Sequence, residues 1–101
     1  MDIKTVRTEN VIELQLEGRL DITFQESLEE AITAAFDEAP GKIIVNCDGL
    51  TFISSAGLRV FMKAHKLSAS TGVELYIAKL NETTKKIFDI TGYLAIFNLI
   101  D

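Results

Sequence analysis

Few residues in this 101-residue chain have both the type and the spacing to do chemistry, and the most suggestive lie in one stretch, FISSAGLRVF, at 52–61. Its first half is apolar and β-prone, its second half begins an amphipathic helix, and Ser54 and Ser55 sit side by side at the junction. A helix start needs only one capping serine, whose hydroxyl accepts a hydrogen bond from a free backbone N–H of the first turn. The other serine is available for a different role. Nucleophilic catalysis is not supported. The single histidine, His65, lies well past the serines inside the helical segment, and Ile53 stands where a G-x-S-x-G nucleophile elbow needs its first glycine.

The remaining reactive side chains read blandly. Cys47, Asp48 and His65 are the only tempting metal ligands, and no Cys or His pair has ligand spacing. His65 sits at the edge of its helix's apolar arc, and Cys47 follows an apolar run as a small buried residue. Glu29-Glu30 and Asp37-Glu38 pair carboxylates on the polar side of a helix, where they solvate it. There is no Walker loop and no dinucleotide fingerprint. The expectation is no enzyme, no metal and no cofactor. What survives is regulation. A helix N-terminus presents unpaired N–H groups and a partial positive charge, and stabilises a nearby anion by about 0.3–1 kcal/mol. A phosphoserine there adds a charge of about −1.5 to −2 without breaking the helix, and the small Ala56 and Gly57 let a partner approach closely.

The elements that must hold this junction can be read from periodicity. Ile3 and Val6, then Val11, Ile12, Leu14 and Leu16, mark two strands with Thr8, Glu9 and Asn10 as a hairpin turn. Ile12, Leu14 and Leu16 share one face and Glu13, Gln15 and Glu17 the other; Gly18 is expected to end the strand. Phe24, Leu28, Ala31, Ile32 and Ala35 recur at helical spacing, with Thr23 as N-cap, Glu26 completing a capping box, and Pro40-Gly41 as the stop. Residues 42–46 read as a strand covered on both faces, followed by a turn at Asp48-Gly49. A second helix spans 57–70, with Val60, Phe61, Ala64, Leu67 and Ser68 inward, Arg59, Lys63, Lys66 and Ser70 outward as solvation, and Gly72 as C-cap. A strand at 73–78 follows. Asn81 caps a third helix with Ile87 and Phe88 inward and Gly92 closing it, and 94–100 forms a short strand or a tail. The order β-β-α-β-α-β-α-(β) implies one α/β domain over 1–101. Its sheet is mixed and mostly parallel, with an N-terminal antiparallel pair and helices packed on it.

A net charge of −5 argues against nucleic acid, which requires a basic stripe. No apolar run approaches the roughly 20 residues that span a bilayer. One cysteine excludes an internal disulfide, and MDIKTVRTEN has no signal-like apolar core. The expectation is a cytoplasmic monomer with no membrane association.

Three segments together resemble the STAS domains, in particular the small bacterial anti-sigma factor antagonists. LEGRLD at 16–21 is similar to the family's L-x-G-x-L-D. IIVNCDGLTFISSAGL at 43–58 is similar to its strand followed by F-[IM]-D-S-[STA]-G-L. FDITGY at 88–93 is similar to its late helix ending in glycine. The resemblance covers almost the whole chain in the same element order. It implies a partner-switching module that binds an anti-sigma factor acting as a switch serine kinase and so releases what that kinase held. Phosphorylation by the kinase then weakens the complex, and a PP2C-type phosphatase resets it. By motif position the phosphoacceptor is Ser55, with Ser54 as the alternative. The partner-binding positions are Asp21, Ser54, Ser55, Ala56, Gly57 and Leu58. Many family members carry aspartate where this chain has Ser54; the reading here gives Ser54 the cap and Ser55 the phosphate, whose charge would fall near Asp21 and Asp48. Two further functions stay open. One is a constitutive, non-phosphorylated STAS interaction module, as a scaffold or transport-complex subunit. The other is a small-ligand or nucleotide-binding domain whose helix start holds a free anion.

Overall fold

The computed structural model describes residues 2–101. Strand β1 (Asp2–Thr8) and strand β2 (Val11–Leu20) form the antiparallel hairpin, joined at Glu9-Asn10. Helix α1 (Gln25–Asp37), strand β3 (Lys42–Ile53), helix α2 (Ser55–Thr71), strand β4 (Glu74–Ala78), helix α3 (Glu82–Ile90), a single 3-10 turn (Tyr93–Ala95) and strand β5 (Asn98–Ile100) complete the domain. The sheet order is β1-β2-β3-β4-β5, antiparallel between β1 and β2 and parallel elsewhere. The segment 94–100 therefore contributes a real edge strand.

Strand periodicity makes the core. Ile12, Leu14, Leu16 and Leu20 of β2, Ile43, Val45, Cys47, Leu50 and Ile53 of β3, and Leu75 and Ile77 of β4 are all buried. The cross-strand partners Ile12–Ile43–Leu75 and Leu14–Val45–Ile77 put them on one face. The helices answer with Leu28, Ile32 and Phe36 of α1, Val60, Phe61 and Ala64 of α2, and Phe88 of α3. Phe61 and Phe88 meet edge-to-face at 5.4 Å between ring centroids, and His65 packs edge-on to Phe97 at 5.7 Å.

The other face of the sheet carries no helix, so β3 is not covered on both sides as its apolar run suggested; Ile44 and Asn46 stay half-buried. Glu13 Oε2 there accepts from Gln15 Nε2 at 2.8 Å and Asn46 Nδ2 at 3.1 Å. The Tyr76 hydroxyl donates to Glu74 at 2.7 Å, beneath the Lys42 ammonium at 5.2 Å from the ring centre.

Two glycine-marked breaks turn out to be irregularities within strands. Gly18 (φ +107°) does not end β2; the ladder shifts register beside it and runs on to Leu20. Asp48-Gly49 is not a turn but lies inside β3, where the ladder slips between Gln15 and Glu17. A Cβ on Gly49 would stand 2.9 Å from the Leu16 carbonyl, so the slip needs glycine for close backbone approach. Thr23 is not the cap of α1. The N-cap is Phe24, which makes no side-chain cap bond, because the turn is held one step earlier: Asp21 Oδ1 accepts from Thr23 N at 3.0 Å and Asp21 O from Phe24 N at 3.1 Å. Gly72 ends α2 in the left-handed region (φ +80°) as read from the sequence, and Asn81 Oδ1 caps α3 from Thr84 N at 2.9 Å. Asn81 also donates to the buried Leu50 carbonyl at 2.6 Å. It thereby fastens α3 to the part of β3 that extends past its pairing with β4.

Candidate functional site

The site forms where β2 and β3 end together. Leu20 pairs with Ile53, and Ser54 N then donates to Leu20 O at 2.9 Å, so the last residue before α2 is tied to the last residue of β2. Ser54 is extended (φ −86°, ψ 171°), and its Oγ accepts from Gly57 N at 3.1 Å while its carbonyl accepts from Leu58 N at 2.9 Å. The helix thus begins at Ser55, two residues earlier than periodicity alone marks it, because Ser54 and not Gly57 makes the break with the strand.

The two serines differ in what is left to them. Ser54 is half-buried with its hydroxyl engaged. Ser55 is exposed on the first turn, and its hydroxyl has no hydrogen-bond partner among the described residues. Asp21, half-buried at the end of β2, reaches the same rim through the Leu20–Ser54 bond. Ala56, Gly57 and Leu58 turn into the core, Ala56 at 8% and Leu58 at 7% exposure. The N–H groups of Gly57 and Leu58 are taken up by Ser54 Oγ and Ser54 O, so these residues shape the site by close packing. Gly57 is required for that closeness, since a Cβ there would lie 2.7 Å from Leu20 Cγ.

Asp48 does not join the site. It lies six residues before Ser54 along β3, about 20 Å at 3.3 Å per residue, beside Lys4 and Gln15. The charges that do surround the rim are Asp21, Arg19, whose guanidinium stacks 4.3 Å over the Phe52 ring, and the exposed Arg59 one turn into α2. The first turn of α2 carries no acidic side chain of its own to offset its N-terminal dipole. Lys63 faces Glu29 of α1 at 3.3 Å.

The sequence did not single out Ile22, which is 74% exposed in the turn after Asp21. Its signal was available: a large apolar residue between the L-x-G-x-L-D segment and the first helix-facing residue, Phe24, with no periodic partner. Cys47 is buried, its thiol pushed up to about 12 by desolvation. Among the described residues no three His, Cys, Asp or Glu side chains could hold a metal together, and no helix is long and apolar enough to cross a membrane.

Comparison with known proteins places this geometry. The family profile described as STAS domain matches residues 2–101. The anti-sigma-B factor antagonist of Staphylococcus aureus is 28% identical over 92 residues, covering 91% of this chain and 85% of that protein. An anti-sigma factor antagonist from Mycobacterium paratuberculosis superposes with a TM-score of 0.88 at 18% identity, over 97% of this chain and 83% of that one. SpoIIAA, an anti-sigma factor antagonist and Bacillus cell fate determinant, superposes in its unphosphorylated form (TM-score 0.77, 22% identity, 99% and 88% coverage). Its phosphorylated form does so as well (TM-score 0.76, 20% identity, 99% and 92% coverage).

Proposed function

This chain belongs to the STAS domain family, and on that premise we propose that it is an anti-sigma factor antagonist, a partner-switching regulator that docks on an anti-sigma factor with serine-kinase activity and is released by phosphorylation on Ser55. The observation that carries the reading is the division of labour at 54–55: Ser54 Oγ is committed to the cap, while Ser55 is exposed beside a helix start without acidic side chains. Of the two adjacent serines, a kinase meets only Ser55 with its hydroxyl free.

The switch follows from charge. A phosphate at Ser55 adds about two negative charges beside Asp21 on a chain already at −5. Against an acidic or nucleotide-bearing partner surface, like charges brought together cost several kcal/mol, and every 1.4 kcal/mol is about tenfold in affinity. Occupancy therefore changes by orders of magnitude while the fold, whose helix start tolerates an anion, stays as it is. Asp21, Ser54 and Ser55 supply the polar contacts, and the backbone of Ala56, Gly57 and Leu58 supplies the close approach. A PP2C-type phosphatase resets the cycle, and the protein acts as a cytoplasmic monomer.

The test is phosphorylation in a lysate of the source organism with ATP, read by intact mass and phosphopeptide mapping, with Ser54→Ala and Ser55→Ala alongside. One added phosphate that only Ser55→Ala abolishes is the expected result. Loss in Ser54→Ala alone moves the acceptor. No labelling where a known antagonist is labelled favours the second reading, a constitutive binding module. That reading draws on Ile22, an apolar contact at the rim that needs no modification to dock.

A further inference from the structure

Arg59 stands four residues after Ser55 on α2, and both are exposed. Helical residues at i and i+4 lie on one face with Cβ atoms about 5–6 Å apart. Helical side chains lean toward the N-terminus, so the Arg59 stem runs back over the turn that carries Ser55. The nearby charged groups are already occupied. Arg19 lies on Phe52, Lys63 faces Glu29, and Asp21 accepts from the Thr23 N–H. Among the described residues Arg59 has no ion-pair partner.

The geometry points to Arg59 as an intramolecular clamp for a phosphate on Ser55. This deepens the reading above and rests on it. The guanidinium presents a planar fork of N–H donors matched to two phosphate oxygens, and an anion N-terminal to a cation at i, i+4 is the favourable order on a helix. Modification then does two things at once. It adds the anion, and it withdraws the Arg59 guanidinium from solution. The clamp also favours the doubly charged phosphate, so the group's second ionisation falls below its ordinary value near 6.

The test uses full-length protein with phosphoserine genetically installed at position 55, titrated by ³¹P NMR between pH 4 and 8. It is compared with the same protein carrying Arg59→Gln or Arg59→Lys. Removing the guanidinium should raise the second ionisation by about 0.3 of a pH unit, from the usual strength of such a pair, with Arg59→Lys falling between. The Arg59 Nε–H resonance should move on phosphorylation. Coincident curves for the parent and Arg59→Gln, or an unmoved resonance, overturn the clamp. Because the phosphoserine is installed and not enzymatic, this outcome is independent of whether a kinase modifies Ser55, which the lysate labelling decides.

Discussion

Gly57→Ala should destabilise the domain although it places a better helix former in a helix. The added Cβ would lie 2.7 Å from Leu20 Cγ, 2.8 Å from Cδ2 and 3.2 Å from the Leu20 carbonyl. Carbon–carbon contacts are comfortable at about 3.5–4.0 Å, so the overlap approaches an ångström. Leu20 cannot step aside. Its side chain is fully buried, and its carbonyl is held by Ser54 N at 2.9 Å. Overpacking of this kind costs about 1–3 kcal/mol, and the gain in helix propensity returns about 1. With an overlap near an ångström against a pinned Leu20 the cost falls in the upper half of that range, so the expected net loss is about 1–2 kcal/mol, at about 4–8 °C of Tm per kcal/mol for a domain of this size. Urea denaturation of Gly57→Ala, Leu20→Ala and the double variant measures it. Leu20→Ala alone should cost about 2–5 kcal/mol. The double variant should cost less than the sum by at least about 1 kcal/mol, because the truncated leucine makes room for the new methyl. Wild-type stability in Gly57→Ala, or strict additivity in the double variant, would refute the close approach that positions the site.

The two serines should separate by stability: Ser54→Ala costs about 1 kcal/mol through the lost cap, Ser55→Ala stays within about 0.5, and equal urea midpoints would remove the assignment of the cap. Asn81→Ala should cost about 2–3 kcal/mol, more than a cap alone, because it also strips the partner from the buried Leu50 carbonyl; hydrogen exchange should show α3 amides losing protection first. Hydrogen bonds from Gln15 and Asn46 hold the Glu13 carboxyl below its ordinary 4.5. Its contribution to stability is thus fully present above that value and lost as pH falls through the lower folded pKa; in Asn46→Ala a ¹³C titration should move Glu13 back upward. Cys47, with its thiol near 12, should ignore thiol reagents at pH 8 in the native protein and react in urea.

Much of this could be read from residue order alone. Ile12, Leu14 and Leu16 alternate because one side of β2 is dry, and Phe61, Ala64 and Leu67 recur because one side of α2 is. Ser54-Ser55 announced themselves by redundancy. Two of the misreadings share a cause: glycine serves turns and strand slips alike. Gly18 and Gly49 therefore looked like ends when they mark places where backbones touch. Thr23 lost its place to Asp21, whose side chain closes the turn before the helix and leaves Phe24 as an N-cap without a side-chain bond. Ile44 looked fully enclosed because apolar character does not say how many layers lie above a strand. The Leu20–Gly57 contact joins residues far apart in the chain, and no local pattern encodes it.

The uncovered side of the sheet has a consequence for how the molecule behaves in company. A β-surface of this extent clad in valine and isoleucine would stack on its own copies. Here Val6, Val11 and Ile44 are interleaved with Lys4, the Glu13–Gln15–Asn46 lattice and the Lys42–Tyr76–Glu74 set. The apolar groups are left as separate islands, too small to drive association. This flank is a finished, water-wetted exterior, which leaves the rim at Ser54–Ser55 free of competition from back-to-back self-adhesion.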